Sequence, residues 1–173
     1  GPYMSDSQIL PVAVRNMTTQ VLGDISLSGV ARDSGGSLVG SDEDQGLEPA
    51  VVVPGEIAWG YVYFGAEMPP GTTFEITARG DPLDDSSYGS VPLEITELNV
   101  SQDTIVGIAT NTGGSKVSGP IGVSVLCVSA DGAELMVMSD YATADDVEPG
   151  GTTAFTVNFY GDKPCDRFLV AAS

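Results

Sequence analysis

The chain repeats one strand pattern on either side of an acidic, Gly/Ser/Pro-rich stretch at residues 79 to 92. In the first half, LPVAVRN (10 to 16) precedes ISLSGVARDSGGSLV (25 to 39), VVPGEIAWGYVYF (52 to 64) and TTFEITAR (72 to 79). In the second half the order returns as TIVGIATN (104 to 111), IGVSVLCVSADGAELMV (121 to 137), VEPGGTTAFTVNFYG (147 to 161) and DRFLVAA (166 to 172). A repeat of this size makes each half a folding unit, and 173 residues give each half enough chain for a modest core of its own.

The repeated segments have the period of strands. In TTAFTVNFY, Phe155, Val157 and Phe159 fall on one face while Thr156 and Asn158 fall on the other. Both copies of this strand follow a Pro-Gly turn, Pro54-Gly55 and Pro149-Gly150. Hairpin signals, Asp33-Ser34-Gly35-Gly36 and Ala130-Asp131-Gly132, divide the earlier segments. Strands are expected near 8 to 16, 23 to 32, 36 to 40, 55 to 64 and 72 to 79, then near 93 to 100, 103 to 111, 121 to 129, 133 to 141, 152 to 160 and 166 to 172. No helical window competes. The expected fold is all-β, two tandem immunoglobulin-like antiparallel β-sandwiches at residues 5–83 and 93–173, joined by an acidic linker at 84–92.

With 22 Gly, 11 Pro and 17% charged residues, the composition suits an extracellular all-β protein. Six basic against 24 acidic residues leave a net charge of −18, which repels phosphate backbones and anionic lipid. Nucleic acid is therefore not an expected partner. Solubility is the plain reading of this charge, and attraction to a cation or a basic partner is the sharper one. The chain has no histidine, so it lacks the commonest general base and transition-metal ligand. Gly1-Pro2 reads as a protease-cleavage scar, and no run of apolar residues is long enough to span a bilayer, so no direct membrane insertion is expected of this segment.

Cys127 lies late in an expected strand and Cys165 just before the last one. Without CxxC spacing or a nearby base they read as one disulfide clamping the second module, contributing about 3 kcal/mol through the unfolded chain. Asp81, Asp84 and Asp85 at the junction are candidate calcium ligands, because hard cations gather six to eight oxygens. Their spacing does not reproduce the D-x-[DN]-x-[DN]-G loop, and a solvated acidic linker is the alternative. No other cofactor is expected. Asp42-Glu43-Asp44 and Asp145-Asp146-Glu148 precede the two Pro-Gly turns and read as a shared loop design with exposed like charges.

Ser34 and Ser37 sit in a Gly-rich turn with no G-x-S-x-G elbow, and no paired carboxylates are accompanied by an aromatic platform, so no catalytic residues are assigned and the chain is not expected to be an enzyme. Trp59, Tyr61, Tyr63 and Phe64 would suit a carbohydrate-binding face if they projected outward. Because Trp59, Tyr61 and Tyr63 align with the inward set Phe155, Val157 and Phe159, core packing is the expected role. Two N-x-S/T tripeptides, Asn16-Met17-Thr18 and Asn99-Val100-Ser101, match a pattern that arises easily by chance.

IVGIATNTGG (105 to 114), VSVLCVSADG (123 to 132) and EPGGTTAFTV (148 to 157) together resemble a bacterial FxLYD-type domain, a small immunoglobulin-like sandwich of exported proteins and lipoproteins. The resemblance covers most of 93 to 173 and, more faintly, 8 to 79. Val125, Cys127, Val128 and Ser129 stand where the family has its naming Phe, Leu, Tyr and Asp. What the resemblance implies is a non-enzymatic adhesion, scaffold or accessory module at the cell envelope, with an unidentified protein or cell-wall partner. A carbohydrate or calcium module is the alternative, and an accessory domain of a hydrolase a remote one.

Overall fold

The structure is a computed structural model that describes residues 8–44, 46–65, 67–83, 91–101, 104–130, 135–159 and 166–173. The chain divides into two compact units, Gly1–Tyr88 and Gly89–Ser173. Every regular element among the described residues is a β-strand, and every strand pairing is antiparallel.

The first unit contains β1 (Gln8–Arg15), β2 (Leu22–Arg32), β3 (Leu38–Glu43), β4 (Ile57–Phe64) and β5 (Thr73–Pro82). β1 pairs with β4, and β2 lies between β3 and β5. Leu27, Ala31, Ala58, Val62 and Phe64 from these strands meet Leu47 and Val52 of the β3–β4 connection in one core. The Phe64 ring packs on Phe74 with centroids 5.2 Å apart and planes tilted by 48°, the offset geometry that ring quadrupoles favour. β5 continues through Gly80 and Asp81 to Pro82, past the end expected from its apolar pattern, because Leu22 and Gly23 of β2 are there to pair with it.

The second unit contains β6 (Glu94–Val100), β7 (Thr104–Thr110), β8 (Val117–Ser118), β9 (Gly122–Val128), β10 (Leu135–Tyr141), β11 (Asp146–Val147), β12 (Thr152–Asn158) and β13 (Arg167–Ala172). One sheet runs β12-β7-β6, a second β10-β9-β13, and β11 pairs with β8. Ile105, Ala109, Phe155 and Val157 from the first sheet pack with Val123, Val125 and Ala172 from the second. Each of the buried Ile, Val and Phe side chains among them stabilises the fold by about 1.5–3 kcal/mol through burial.

One hydrogen-bonded framework occurs in both units at a constant shift of 95 positions. The Asn16 N–H donates to the Glu56 carbonyl and the Gly55 N–H to the Asn16 carbonyl; in the second unit Asn111 and Gly151, then Gly150 and Asn111, are joined the same way. Gly55 and Gly150 have φ of 88° and 75°, a left-handed turn that a side chain resists. The same shift carries β4 onto β12, so Val62 corresponds to Val157 and Phe64 to Phe159.

At one place in each unit a glycine stands opposite a larger residue, on opposite strands of the pair and with different neighbours crowding it. Val12 of β1 faces Gly60 of β4, whereas Gly107 of β7 faces Phe155 of β12. A Cβ on Gly107 would lie 2.4 Å from Cζ of Phe155 and 2.6 Å from the Glu97 carbonyl oxygen, and one on Gly60 would lie 2.7 Å from the Gly46 carbonyl oxygen. Each pair holds one large side chain and one glycine, with the glycine on the opposite strand.

Candidate functional site

β4 sets the outer face of the first unit. Ala58 and Val62 are fully buried and Phe64 is 1% exposed, whereas Tyr61 and Tyr63 are 36% and 37% exposed. Strand alternation therefore puts Trp59, Tyr61 and Tyr63 together on the face turned away from the core. Tyr61 and Tyr63 are thus exposed, contrary to the expected core packing, whereas Trp59 is buried as expected. The two Pro-Gly turns correspond with a shift of 95, but setting Trp59 against Phe155 needs a shift of 96, and a slip of one residue moves every side chain to the other face. Of the four aromatics Trp59 and Phe64 are buried, and Phe64 lies in the cluster with Val62.

The partner strand completes this face. Register pairs Ile9 with Tyr63, Pro11 with Tyr61, Ala13 with Trp59 and Arg15 with Ile57. Leu10, Val12 and Val14 turn the other way and pack on the core. Trp59 is 3% exposed despite its outer position. The two tyrosines thus form an open aromatic strip, with Pro11 and Ile9 beside it and the exposed Arg15 at the far end. The Arg15 guanidinium donates to the Gly55 carbonyl, which ties it to the neighbouring turn.

The equivalent face of the second unit has another chemistry. Ala154, Thr156 and Asn158 occupy the positions of Trp59, Tyr61 and Tyr63, and β6 lies beside β7. Here the sheet forms a shallow depression of about 410 Å³, lined by Glu97, Asn99, Val106, Ile108, Ala154 and Thr156 among others. A smaller polar depression of about 260 Å³ in the first unit is lined by Ser26, Ser28, Glu43, Thr77 and Arg79 with Leu27.

The junction carboxylates are only partly described. Asp81 is exposed at the end of β5, paired in register with Gly23. Asp84 and Asp85 lie outside the described residues. No group of three or more His, Cys, Asp or Glu among the described residues is placed to hold a metal ion. Cys127 is 4% exposed in β9. No cysteine among the described residues is a free thiol; Cys165 lies outside them.

The acidic stretches do not occupy equivalent places, contrary to the shared loop design. Asp42 and Glu43 belong to β3, while Asp146 belongs to β11 and pairs with Ser118. Asp44 serves the backbone: its carboxylate accepts from the N–H groups of Leu27 and, at 2.7 Å, Gly46. Asp33 does the same in the β2–β3 hairpin, accepting from Gly35 at 2.9 Å and Ser37 at 2.8 Å. Lys116 pairs with Asp146 at 2.9 Å and reaches Glu148 at 3.9 Å. The hydrogen bond from Lys116, then one from Ser118, holds the Asp146 carboxyl below its ordinary pKa, and the bond to Asp146 raises that of Lys116.

Two buried asparagines escaped the sequence reading. Asn16 and Asn111 are 4% and 0% exposed. The Asn16 Nδ2 donates to the Gln20 and Val52 carbonyls at 2.8 and 2.9 Å, and the Asn111 Nδ2 to those of Ser115 and Val147 at the same distances. Their Oδ1 atoms accept from Thr18 N–H and Gly113 N–H, each at 2.9 Å. The available signal was an Asn closing the first strand of each repeat at the same distance from the Pro-Gly turn. No protein-family model matches the chain, and no curated protein matches it.

Proposed function

We propose that the chain is a non-enzymatic, exported cell-envelope binding module of two tandem immunoglobulin-like sandwiches, and that its first unit binds a neutral saccharide on the Tyr61–Tyr63 face. The observation that carries this reading is where the two units diverge. Their frameworks agree at Asn16 and Asn111 and at the Pro-Gly turns, while the outer strand face carries Tyr61 and Tyr63 in one unit and Thr156 and Asn158 in the other.

Two tyrosines on successive outward positions of one strand stand about 7 Å apart, and their ring faces suit the apolar C–H faces of pyranose rings. A net charge of −18 disfavours anionic ligands, which leaves neutral glycans as the better class. The non-enzymatic reading is supported by a chain without histidine and by carboxylates such as Asp33 and Asp44 that are committed to backbone N–H groups. The FxLYD-type resemblance belongs to the same proposal, with the second unit as its better copy.

Titration with a panel of neutral oligosaccharides, followed by Trp59 fluorescence and calorimetry, tests this reading. Binding that is lost in the Tyr61→Ala/Tyr63→Ala double variant and kept in Thr156→Ala supports it. Absence of binding across the panel, or binding indifferent to both tyrosines, overturns it. The Cys127–Cys165 disulfide is proposed alongside, and two reactive thiols in unreduced protein would refute it. Calcium ligation by Asp81, Asp84 and Asp85 is a separate proposal, checked by whether millimolar calcium raises the melting temperature in a manner that Asp84→Ala/Asp85→Ala abolishes.

A further inference from the structure

The two N-x-S/T tripeptides sit in opposite environments. Asn16 is 4% exposed, and its amide nitrogen is held by two carbonyl acceptors while Oδ1 accepts from the backbone and hydroxyl of Thr18. No reagent reaches that nitrogen without breaking the turn. Asn99 is exposed on β6, the edge strand of its sheet. Its register partner is Val106, so its side chain stands on the outer face beside Val106. The tripeptide then leaves the strand at Ser101, whose N–H donates to the Thr104 carbonyl at 2.9 Å and whose hydroxyl reaches the same oxygen at 3.3 Å.

We propose that Asn99 is an acceptor for N-linked glycan transfer in the folded protein and that Asn16 is not. Glu97 stands two residues before Asn99, which makes the segment acidic-x-Asn-x-Ser, whereas Val14 holds that place before Asn16. In the transfer, Nδ2 of Asn99 attacks the anomeric carbon of a lipid-pyrophosphate-linked oligosaccharide. The N–C bond forms as the C–O bond to pyrophosphate breaks, the lipid pyrophosphate leaves with the electron pair, and Nδ2 gives up one proton to the transferase. The first sugar then lies over the depression of about 410 Å³ beside Asn99. There it covers Val106, an aliphatic side chain left 41% exposed.

The test presents the purified, folded chain to a bacterial oligosaccharyltransferase and its lipid-linked oligosaccharide, with an established acceptor protein in the same reaction. It therefore stands apart from where the native protein resides and from whether the Tyr61–Tyr63 face binds sugar. Intact mass and peptide mapping are expected to show one glycan on the Asn99 peptide and none on the Asn16 peptide. Modification should be lost completely in Asn99→Gln and in Ser101→Ala. Unchanged circular dichroism and melting of unmodified Asn99→Gln would establish that the loss is of the acceptor and not of the fold. An unmodified Asn99 beside a fully modified control protein, or a glycan on Asn16, overturns the proposal.

Discussion

Pro11 and Tyr61 face each other across β1 and β4 as a pair that exchanges no backbone hydrogen bond. The Trp59 N–H and carbonyl both bond to Glu48 on the other side of β4, at 2.8 Å each. Alternation turns the main-chain groups of Tyr61 the same way, so Pro11, its register partner, directs its own away from β4. Pairs of this kind bring their side chains closest, which seats the Pro11 ring beside the Tyr61 ring. The missing N–H of Pro11 consequently falls on the outer edge of β1, where no strand pairs among the described residues.

Proline at that position guards a sheet edge. Pro11→Val restores a donor to the edge of β1 and is expected to promote association of copies through it, most visibly at high salt, where the charge of −18 is screened. Sedimentation velocity should show a concentration-dependent dimer for the variant and a monomer for the parent chain. A variant that stays monomeric under both conditions would mean that the edge is blocked by something other than Pro11.

The register of β4 predicts opposite sensitivities for neighbouring residues. Val62, fully buried in the core, should lose about 2 kcal/mol on truncation to alanine, from the transfer and cavity contributions together. Tyr61→Ala, on the outer face, should cost less than about 1 kcal/mol. Urea unfolding of both variants decides this, and equal losses would place Tyr61 in the core.

That contrast also marks how far the sequence was legible. Alternation and turn chemistry located the strands well, since the Val-, Thr- and aromatic-rich runs carry a period of two and are set off by turn residues such as Asn16, Pro54-Gly55, Asn111 and Pro149-Gly150. The faces of β4 were harder, because Ile57, Trp59, Tyr61 and Tyr63 are as apolar as Ala58, Val62 and Phe64, and a strand apolar on both sides gives no phase. Only the framework shared with β12 fixes that phase, through Gly55 and Gly150. The short strands β8 and β11 went unseen because two residues carry no period. The burial of Asn16 and Asn111 was not legible, since composition does not reveal that backbone groups from separate segments converge on each side chain.

Those asparagines tie the end of one strand to the strand bridge at Val52 or Val147. Asn111→Ala leaves the buried Val147 carbonyl and the part-buried Ser115 carbonyl without their donor, and a buried acceptor stripped in this way should cost about 1–3 kcal/mol. Asn16→Ala should weaken the first unit by a similar amount. Hydrogen exchange resolved by segment is the informative measurement, because each substitution should lower protection in its own unit. A loss spread evenly over both units would contradict two separate frameworks.

The ion pair of Lys116 and Asp146 gives a pH dependence with a definite sign. The carboxyl pKa is lowered in the folded protein, so its contribution is present above the ordinary carboxylate value, about 4, and is lost as pH falls through that range. The Lys116 pKa is raised, so its contribution is present below the ordinary lysine value and is lost as pH rises past it. Both groups are exposed and screened by salt, so the effect is best read site by site. Carboxyl NMR titration should show Asp146 returning upward toward the ordinary value in Lys116→Met, and an unmoved titration would assign the shift to other neighbours.

Gly107 and Phe155 make the sharpest packing prediction. Because a Cβ at Gly107 would meet both the Phe155 ring and the Glu97 carbonyl oxygen well inside contact distance, Gly107→Ala must push the ring off its rotamer or lift β6 from β7. Overpacking of this kind costs about 1–3 kcal/mol. Phe155→Leu withdraws the atoms nearest Gly107 and should recover part of that cost, so the double variant is expected to be more stable than the sum of the two single losses predicts. The Glu97 carbonyl remains in place and limits the recovery. A urea series on the two single variants and the double variant would measure the coupling directly. Strict additivity would show that the ring and the glycine do not share the same space.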